Sequence, residues 1–295
     1  MSERIVIIGP GRMGLALGAA LHRSGELERL TYCGRSIEPP PHPLFEPDDR
    51  NGGEPAAEYR TGILPLPPET TVLLLAVPDA ALAEVTYDVV RAGSPPPGCA
   101  ALHLSGALST DVLEPLHRAG YAIGSIHPLQ TVADPWRSAD RLFGVAFAIT
   151  GDPAGSRAAH RLVHALDGTA LVIPPNLRPI YHAAAVMASN YIVALVAAAG
   201  RLLEQAGVAP DEAAPALVPL VAGTIENMQQ LGVPAALTGP IARGDSDTVR
   251  LHLARLSAVD RSLYSALGRE VLRLARAAGV DPRKADEIEE LLGHG

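Results

Sequence analysis

The chain alternates short β-branched runs with longer segments of helical period. Residues 4–8 (RIVII) are apolar throughout and close on Gly9, the pattern of a parallel strand buried on both faces. A helix is predicted from Arg12 to Ser24, with Gly25 as its stop. Residues 29–33, 71–77, 99–104, 121–126, 145–149 and 171–173 are read as further strands. Helices are predicted over 79–91, over 109–119 with Ser109 as N-cap, and over 153–166. Between Ile37 and Pro68 lie nine prolines, which lack the N–H that ladders and helices need. That stretch is predicted to be irregular chain with a short helix near Ala56, either a surface loop or a flap over a ligand. After Pro179 the strand pattern ends, and alanine and leucine recur at helical period, broken near 207–210, 232–234, 239–240 and 279–282. The predicted fold is α/β: a Rossmann-type parallel-sheet domain over 1–175, followed by an all-helical domain over 176–295.

Composition narrows the function classes. With 295 residues, 47% of them hydrophobic and 19% charged, the chain has enough apolar material for packed cores. A net charge of −8 without a basic cluster excludes a nucleic-acid surface from the expectations. Cys33 and Cys99 make neither a disulfide scaffold nor a zinc site, and they fit a cytoplasmic protein. The N-terminal apolar run is too short for a signal peptide. Residues 181–200 match a membrane span in length, yet they are alanine-rich and carry His182, Ser189 and Asn190. The expectation is a helix buried in protein, with no membrane partner. Apolar nearly all round from Pro179 to Ala206, it needs more cover than a small domain supplies, which predicts a homodimer.

The chemical signal begins at Gly9-Pro10-Gly11-Arg12-Met13-Gly14, which follows a strand and opens a helix. The first glycine allows the tight turn, the second a close approach to a pyrophosphate, and the third close helix–strand packing. The helix N-terminus adds N–H donors and positive dipole. An NAD site wants an acidic residue at the end of the second strand; here the chain reads Cys33-Gly34-Arg35-Ser36. Arg35 and Ser36 could clasp a 2′-phosphate, so the cofactor is expected to be NADP, with an exposed loop arginine as the alternative reading of Arg35. Val77 and Pro78, ending a later strand, are placed beside the same cofactor.

Ligands of open parallel sheets sit at the carboxyl ends of the strands, and two polar strings fall there: 103–106 (HLSG) and 125–130 (SIHPLQ). His127 is the candidate proton donor to a substrate oxygen, against a structural loop histidine. Ser105 is expected either to hold that oxygen or to orient the imidazole, and Gln130 is placed with the substrate. His103 reads as a packed core group and Ser125 as structural. At about 100° per residue, His182 and Ser189 share one helix line, with Asn190 close by. They either bond to neighbouring helices or face a cleft between domains. Arg243, in the loop 238–245 with Asp245 as a helix cap, could clamp a substrate carboxylate; a solvated arginine is the alternative. No H-E-x-x-H or C-x-x-C string is present, so no metal is expected.

The strings IIGPGRMG (7–14), LLLAVPD (73–79), HLSGAL (103–108), GSIHPLQT (124–131), YHAAAVMASNYIVAL (181–195) and LTGPIARGD (237–245) together resemble a bacterial family of Rossmann-like oxidoreductases with a helical C-terminal domain. That family is similar to ketopantoate reductase, 6-phosphogluconate dehydrogenase, pyrroline-5-carboxylate reductase and prephenate dehydrogenase. The resemblance implies a 6-phosphogluconate-dehydrogenase-like helical domain and nucleotide binding by Gly9, Gly11 and Gly14. It also implies Ser105 and His127 as a substrate-contacting pair, and Asn190 as the asparagine of a Lys-x-x-x-Asn helix string. The lysine place is Val186, so His127 or His182 would have to supply the proton. The expected activity is NADPH-dependent hydride transfer to a small oxo acid or imino acid, with ketopantoate named first. A prephenate-type dehydrogenase and a non-catalytic NADP sensor are the alternatives.

Overall fold

The computed structural model describes residues 3–48 and 52–293. The chain divides into two compact units, Met1–Ser189 and Asn190–Gly295. The boundary falls beyond the expected residue 175, because the first helix after the sheet belongs to the sheet's own unit.

In the first unit the opening elements are β1 (Glu3–Ile8), α1 (Arg12–Arg23) and β2 (Leu27–Gly34). Next come β3 (Glu58–Thr61), β4 (Val72–Leu75), α2 (Asp79–Ala92), β5 (Ala100–His103), α3 (Glu114–Arg118) and β6 (Ala122–Pro128). The unit closes with β7 (Ala146–Gly151), α4 (Pro153–Ala165), β8 (Thr169–Val172) and α5 (Arg178–Ala188). The strands form one sheet in the order β3-β2-β1-β4-β5-β6-β7-β8, the doubly wound dinucleotide order extended at one edge. The register aligns Ile8 with Cys33 and Leu75, and His103 with Leu75 and Ser125, so the carboxyl ends of β1, β2, β4 and β5 are nearly level and β6 continues past them to Pro128. Alternation along β1 puts Ile5 and Ile7 into one buried layer and Val6 and Ile8 into the other, so both faces of the sheet are covered.

Four local expectations need correction. The sheet is not wholly parallel: β7 runs antiparallel to β6, and a strand buried on both faces reads the same in either direction. The proline-rich stretch contains no helix near Ala56 but a strand, β3, parallel to β2. A 3-10 turn at Pro43–Phe45 buries Leu44 completely and sets Phe45 edge-on to Tyr32 at 5.3 Å and to Tyr59 at 5.7 Å. This part of the stretch is packed against the sheet as an outer layer. The segment 109–119 is a 3-10 turn followed by the short α3, with Ser109 accepting from the Asp111 N–H as expected.

The fourth concerns 179–206. The helix is broken at Ser189, whose φ −126° and ψ −76° leave the helical region, and α6 (Asn190–Gln205) starts afresh. Within the single chain it is largely exposed: Ile180 is 69% exposed and Val193 71%. By length and composition, Pro175–Gln205 would suffice to cross a membrane.

The second unit holds α6, α7 (Pro210–Leu231), α8 (Pro240–Arg243), α9 (Ser246–Arg255), α10 (Ala258–Ala277) and α11 (Pro282–Gly293). Gly200 lets α6 approach Ala214 of α7: a Cβ there would stand 3.4 Å from that side chain. Ile241, Val249, Leu253, Leu272, Ile288 and Leu292 form a core among α8–α11.

Candidate active site

The glycine loop carries no acidic residue of its own. Gly9 has φ +104°, and a Cβ there would stand 2.5 Å from the Ala76 carbonyl oxygen, so no other residue fits. At Gly14 a Cβ would meet the Gly9 carbonyl at 2.4 Å. At Gly11 a Cβ would meet nothing within 4 Å. Gly11 caps α1 without a side chain, and the first turn holds no acidic residue, which leaves N–H donors facing open space. Tyr32 on β2 donates to the Gly14 carbonyl at 2.9 Å, and the Gly9 N–H donates to Cys33 at 3.0 Å, so β2 positions the loop. Pro10 is half-buried, and Arg12 is exposed at the first turn, with Met13 packed against the core.

At the end of β2, Arg35 and Ser36 are exposed. Tyr59 donates to the Ser36 carbonyl at 2.9 Å, and Thr61 donates to the same oxygen at 3.2 Å, so β3 shapes the turn that carries them. The donor set suits a nucleotide bearing an extra phosphate: uncapped N–H groups at one strand end, a cation and a hydroxyl at the next. Val77 and Pro78 follow β4 on the same edge.

The second cluster gathers on β5, β6 and α5. His127 Nδ1 and the Tyr181 hydroxyl are 2.7 Å apart, with the rings edge-on at 5.7 Å. The His182 ring is edge-on to His127 at 5.8 Å. Both imidazoles press on Gly106, where a Cβ would meet His182 Nδ1 at 2.5 Å and His127 Nε2 at 2.9 Å. His182 Nδ1 is buried there with no hydrogen-bond partner. Burial, then His182, then the Arg178 guanidinium push His127 down to about 4, so its imidazole is neutral at physiological pH.

Arg178 and Asp79 are the residues that sequence reasoning missed. Arg178 is fully buried, donates from Nη1 to Thr150 at 3.1 Å and from Nη2 to the Ser105 carbonyl, and leaves Nε without a partner. Asp79, at the start of α2, accepts from the Ser105 hydroxyl at 2.9 Å. The only signals were a lone Arg-Pro before an apolar helix and a Pro-Asp after a strand.

Of the two roles expected for Ser105, holding a substrate oxygen or orienting the imidazole, its hydrogen bonds within the chain bear on the second. Its hydroxyl donates to Asp79 and accepts from the N–H groups of Ala107 at 3.2 Å and Leu108 at 3.0 Å. That uses its one donor and both lone pairs. The serine fixes the loop on which the imidazoles rest. Gln130 is likewise engaged: its amide accepts from Thr131 N–H at 2.8 Å and donates to the Arg141 carbonyl at 3.4 Å. His103 is fully buried as expected, its Nδ1 accepting from the Ser105 N–H at 3.1 Å. The shared helix line of His182, Ser189 and Asn190 does not exist, because the helix ends between them. Asn190 and Arg243 are exposed residues of the second unit, where Asp245 caps α9 by accepting from the Thr248 N–H at 3.1 Å. Among the described residues no group of three metal-ligating side chains occurs.

Two family models match the chain. One is a domain of unknown function, DUF2520, over residues 145–271, and the other a Rossmann-like domain over 61–128. Curated proteins yield no match. Solved structures share the fold. Protein TM1727 from Thermotoga maritima is 23% identical, with a TM-score of 0.67 over 93% of this chain and 99% of its own. BF3122 from Bacteroides fragilis, provisionally described as an NADP oxidoreductase, is 24% identical, with a TM-score of 0.67 over 92% and 98%. Plasmodium falciparum pyrroline carboxylate reductase, solved with NADP bound, is 13% identical, with a TM-score of 0.59 over 98% of each chain. The chain therefore has the fold of proteins that include NADP-dependent reductases.

The buried histidines make a stability prediction. Burial first, then Arg178, pushes His103 down to about 4. An unfolded imidazole takes its proton near pH 6.5. Between about pH 6.5 and 4 the unfolded chain therefore binds more protons, and stability falls as the pH drops through that window. His103→Asn keeps an acceptor for the Ser105 N–H and removes the titration. Denaturant unfolding from pH 7 to 4.5 should show the acid-side slope reduced by up to about 1.4 kcal/mol per pH unit; an unchanged slope would refute the assignment.

Proposed function

We propose that the protein is an NADPH-dependent reductase acting on a small oxo acid or imino acid. One observation carries this reading. A neutral histidine with a fixed ring stands at the carboxyl end of β6, in the sheet whose first strand ends in an uncapped, carboxylate-free glycine loop. Gly9, Gly11 and Gly14 with the first turn of α1 would hold the pyrophosphate, and Arg35 with Ser36 the 2′-phosphate. When bound, the cofactor would supply hydride to the substrate carbon. The chain's task is to stabilise the heteroatom and deliver the proton. An imidazole N–H aimed at the carbonyl oxygen strengthens its bond as charge grows there, so it favours the transition state over the ground state. The pyrroline carboxylate reductase that shares this fold supports the imino-acid branch. The sequence resemblance favours ketopantoate within the oxo-acid branch.

Ser105, Asp79 and Arg178 hold the surface on which His127 lies and are assigned positioning roles. The exposed apolar residues of α5, α6 and α7, among them Met187, Val193 and Leu220, are assigned to contact with a second copy of the chain.

Arg35→Asp should weaken NADPH binding far more than NADH binding in a fluorescence titration; equal losses would remove Arg35 from the 2′-phosphate site. His127→Ala should lower kcat by about 10²–10⁴-fold while the NADPH dissociation constant stays within a few-fold. If His182→Ala abolishes turnover and His127→Ala does not, the donor is on the helix. Light scattering without detergent should give twice the chain mass at micromolar concentrations; a monomer throughout would contradict the dimer.

A further inference from the structure

His127 alone is a poor terminal acid. The groups that face it are His182 and Arg178 from α5 and His103 from β5, while Asp79 at the start of α2 acts on Arg178. One carboxylate, already accepting from Ser105, stands against a permanent cation and two more imidazoles. Adding a proton to His127 works against that surplus. The ring nevertheless has a second partner. The Tyr181 hydroxyl lies 2.7 Å from Nδ1, on the edge of the ring away from Gly106, and makes no other hydrogen bond among the described residues. Arg178, one turn earlier on α5, is a buried cation hydrogen-bonded only to neutral oxygens, with Nε unpartnered.

Resting on the reductase reading, we propose that Tyr181 is the proton reservoir of the site and that His127 relays its proton. Tyr181 donates to Nδ1, so the neutral imidazole carries its own hydrogen on Nε2. As the substrate carbon is reduced, Nε2–H breaks and its proton joins the substrate oxygen or nitrogen. The O–H of Tyr181 breaks in the same movement and its proton joins Nδ1. The imidazole stays neutral. Burial pushes the Tyr181 hydroxyl up from the ordinary phenol range, which keeps its proton in place at rest, and the Arg178 guanidinium opposes that rise and is the counter-charge of the phenolate formed during turnover. After product departure, solvent returns one proton to Nε2, and Nδ1 gives its proton back to the phenolate. Each turnover thus consumes one hydride and one solvent proton. Tyr181 acts through His127 and is a positioning residue, not one that touches substrate.

Tyr181→Phe tests the relay in the full-length protein, with two readouts. The first is the ¹⁵N NMR signature of the His127 ring without cofactor, identified by its loss in His127→Ala. The wild type should show the Nε2–H tautomer with Nδ1 as an acceptor from about pH 5.5 to 8, and Tyr181→Phe should lose the acceptor signature. A wild-type ring protonated on Nδ1 overturns the proposal. The second is the pH dependence of kcat. The wild type should be nearly flat over the same range. Tyr181→Phe should fall about 100-fold near pH 7 and recover about tenfold for each unit of acidification, because only imidazolium can then supply the proton. A Tyr181→Phe profile parallel to the wild type, at any height, overturns the relay. If the wild type reduces no oxo or imino acid, the reductase reading falls, and the ring tautomer still decides whether Tyr181 donates to His127.

Discussion

The organising constraint of the candidate site is the burial of a guanidinium that bonds to no carboxylate. Arg178 has no solvent exposure, and its hydrogen bonds go to a threonine hydroxyl and a backbone carbonyl. An unpaired charge in such a place is costly, and charge-assisted hydrogen bonds offset only part of that cost. The cation in turn sets its surroundings: it helps to hold His103 and His127 neutral, and it offers a counter-charge to Tyr181. It also ties α5 to the sheet, through Thr150 on β7 and the loop after β5. That tie is a physical reason why the first compact unit extends to Ser189.

From this anchor the remaining pieces follow in sequence. Arg178 takes the carbonyl of Ser105, Asp79 takes its hydroxyl, and His103 takes its N–H. A loop gripped at three points presents Gly106, whose missing side chain lets two imidazoles lie against the backbone. His127 reaches that place because β6 lies beside β5 in register. The glycine loop at the end of β1 depends on a separate set of contacts, with Tyr32 and Cys33 of β2. One sheet edge therefore carries an uncapped glycine turn and a cluster of buried imidazoles, each built by its own neighbours.

Where local pattern determines structure, the sequence was legible. The β-branched run at 4–8, the glycine spacing at 9–14 and the apolar run at 71–77, of which Val72–Leu75 form β4, each need only neighbouring residues to be read. The place of His127 at the end of a strand was also legible, since β6 runs from Ala122 to Pro128. What escaped reading depends on distant partners. Ser105 was read as either holding a ligand oxygen or orienting the imidazole, and nothing local shows that Asp79, twenty-six residues earlier, accepts from its hydroxyl. Arg178 was passed over because nothing local shows that Thr150 and Ser105 enclose it. The break at Ser189 escaped because it lies in an alanine-rich run whose apolar pattern continues on both sides. The direction of β7 and the strand hidden among prolines are decided by pairing, which periodicity does not encode.

The central claim is that the neutral His127 ring and a carboxylate-free glycine loop on one sheet edge serve hydride transfer to an oxo or imino acid. Absorbance of NADPH, followed with a panel of 2-oxo acids and cyclic imino acids, tests it most directly. The account predicts saturable loss of absorbance with at least one of the two classes, faster with NADPH than with NADH. Tight NADPH binding with no turnover across both classes would contradict it and leave a nucleotide sensor in its place.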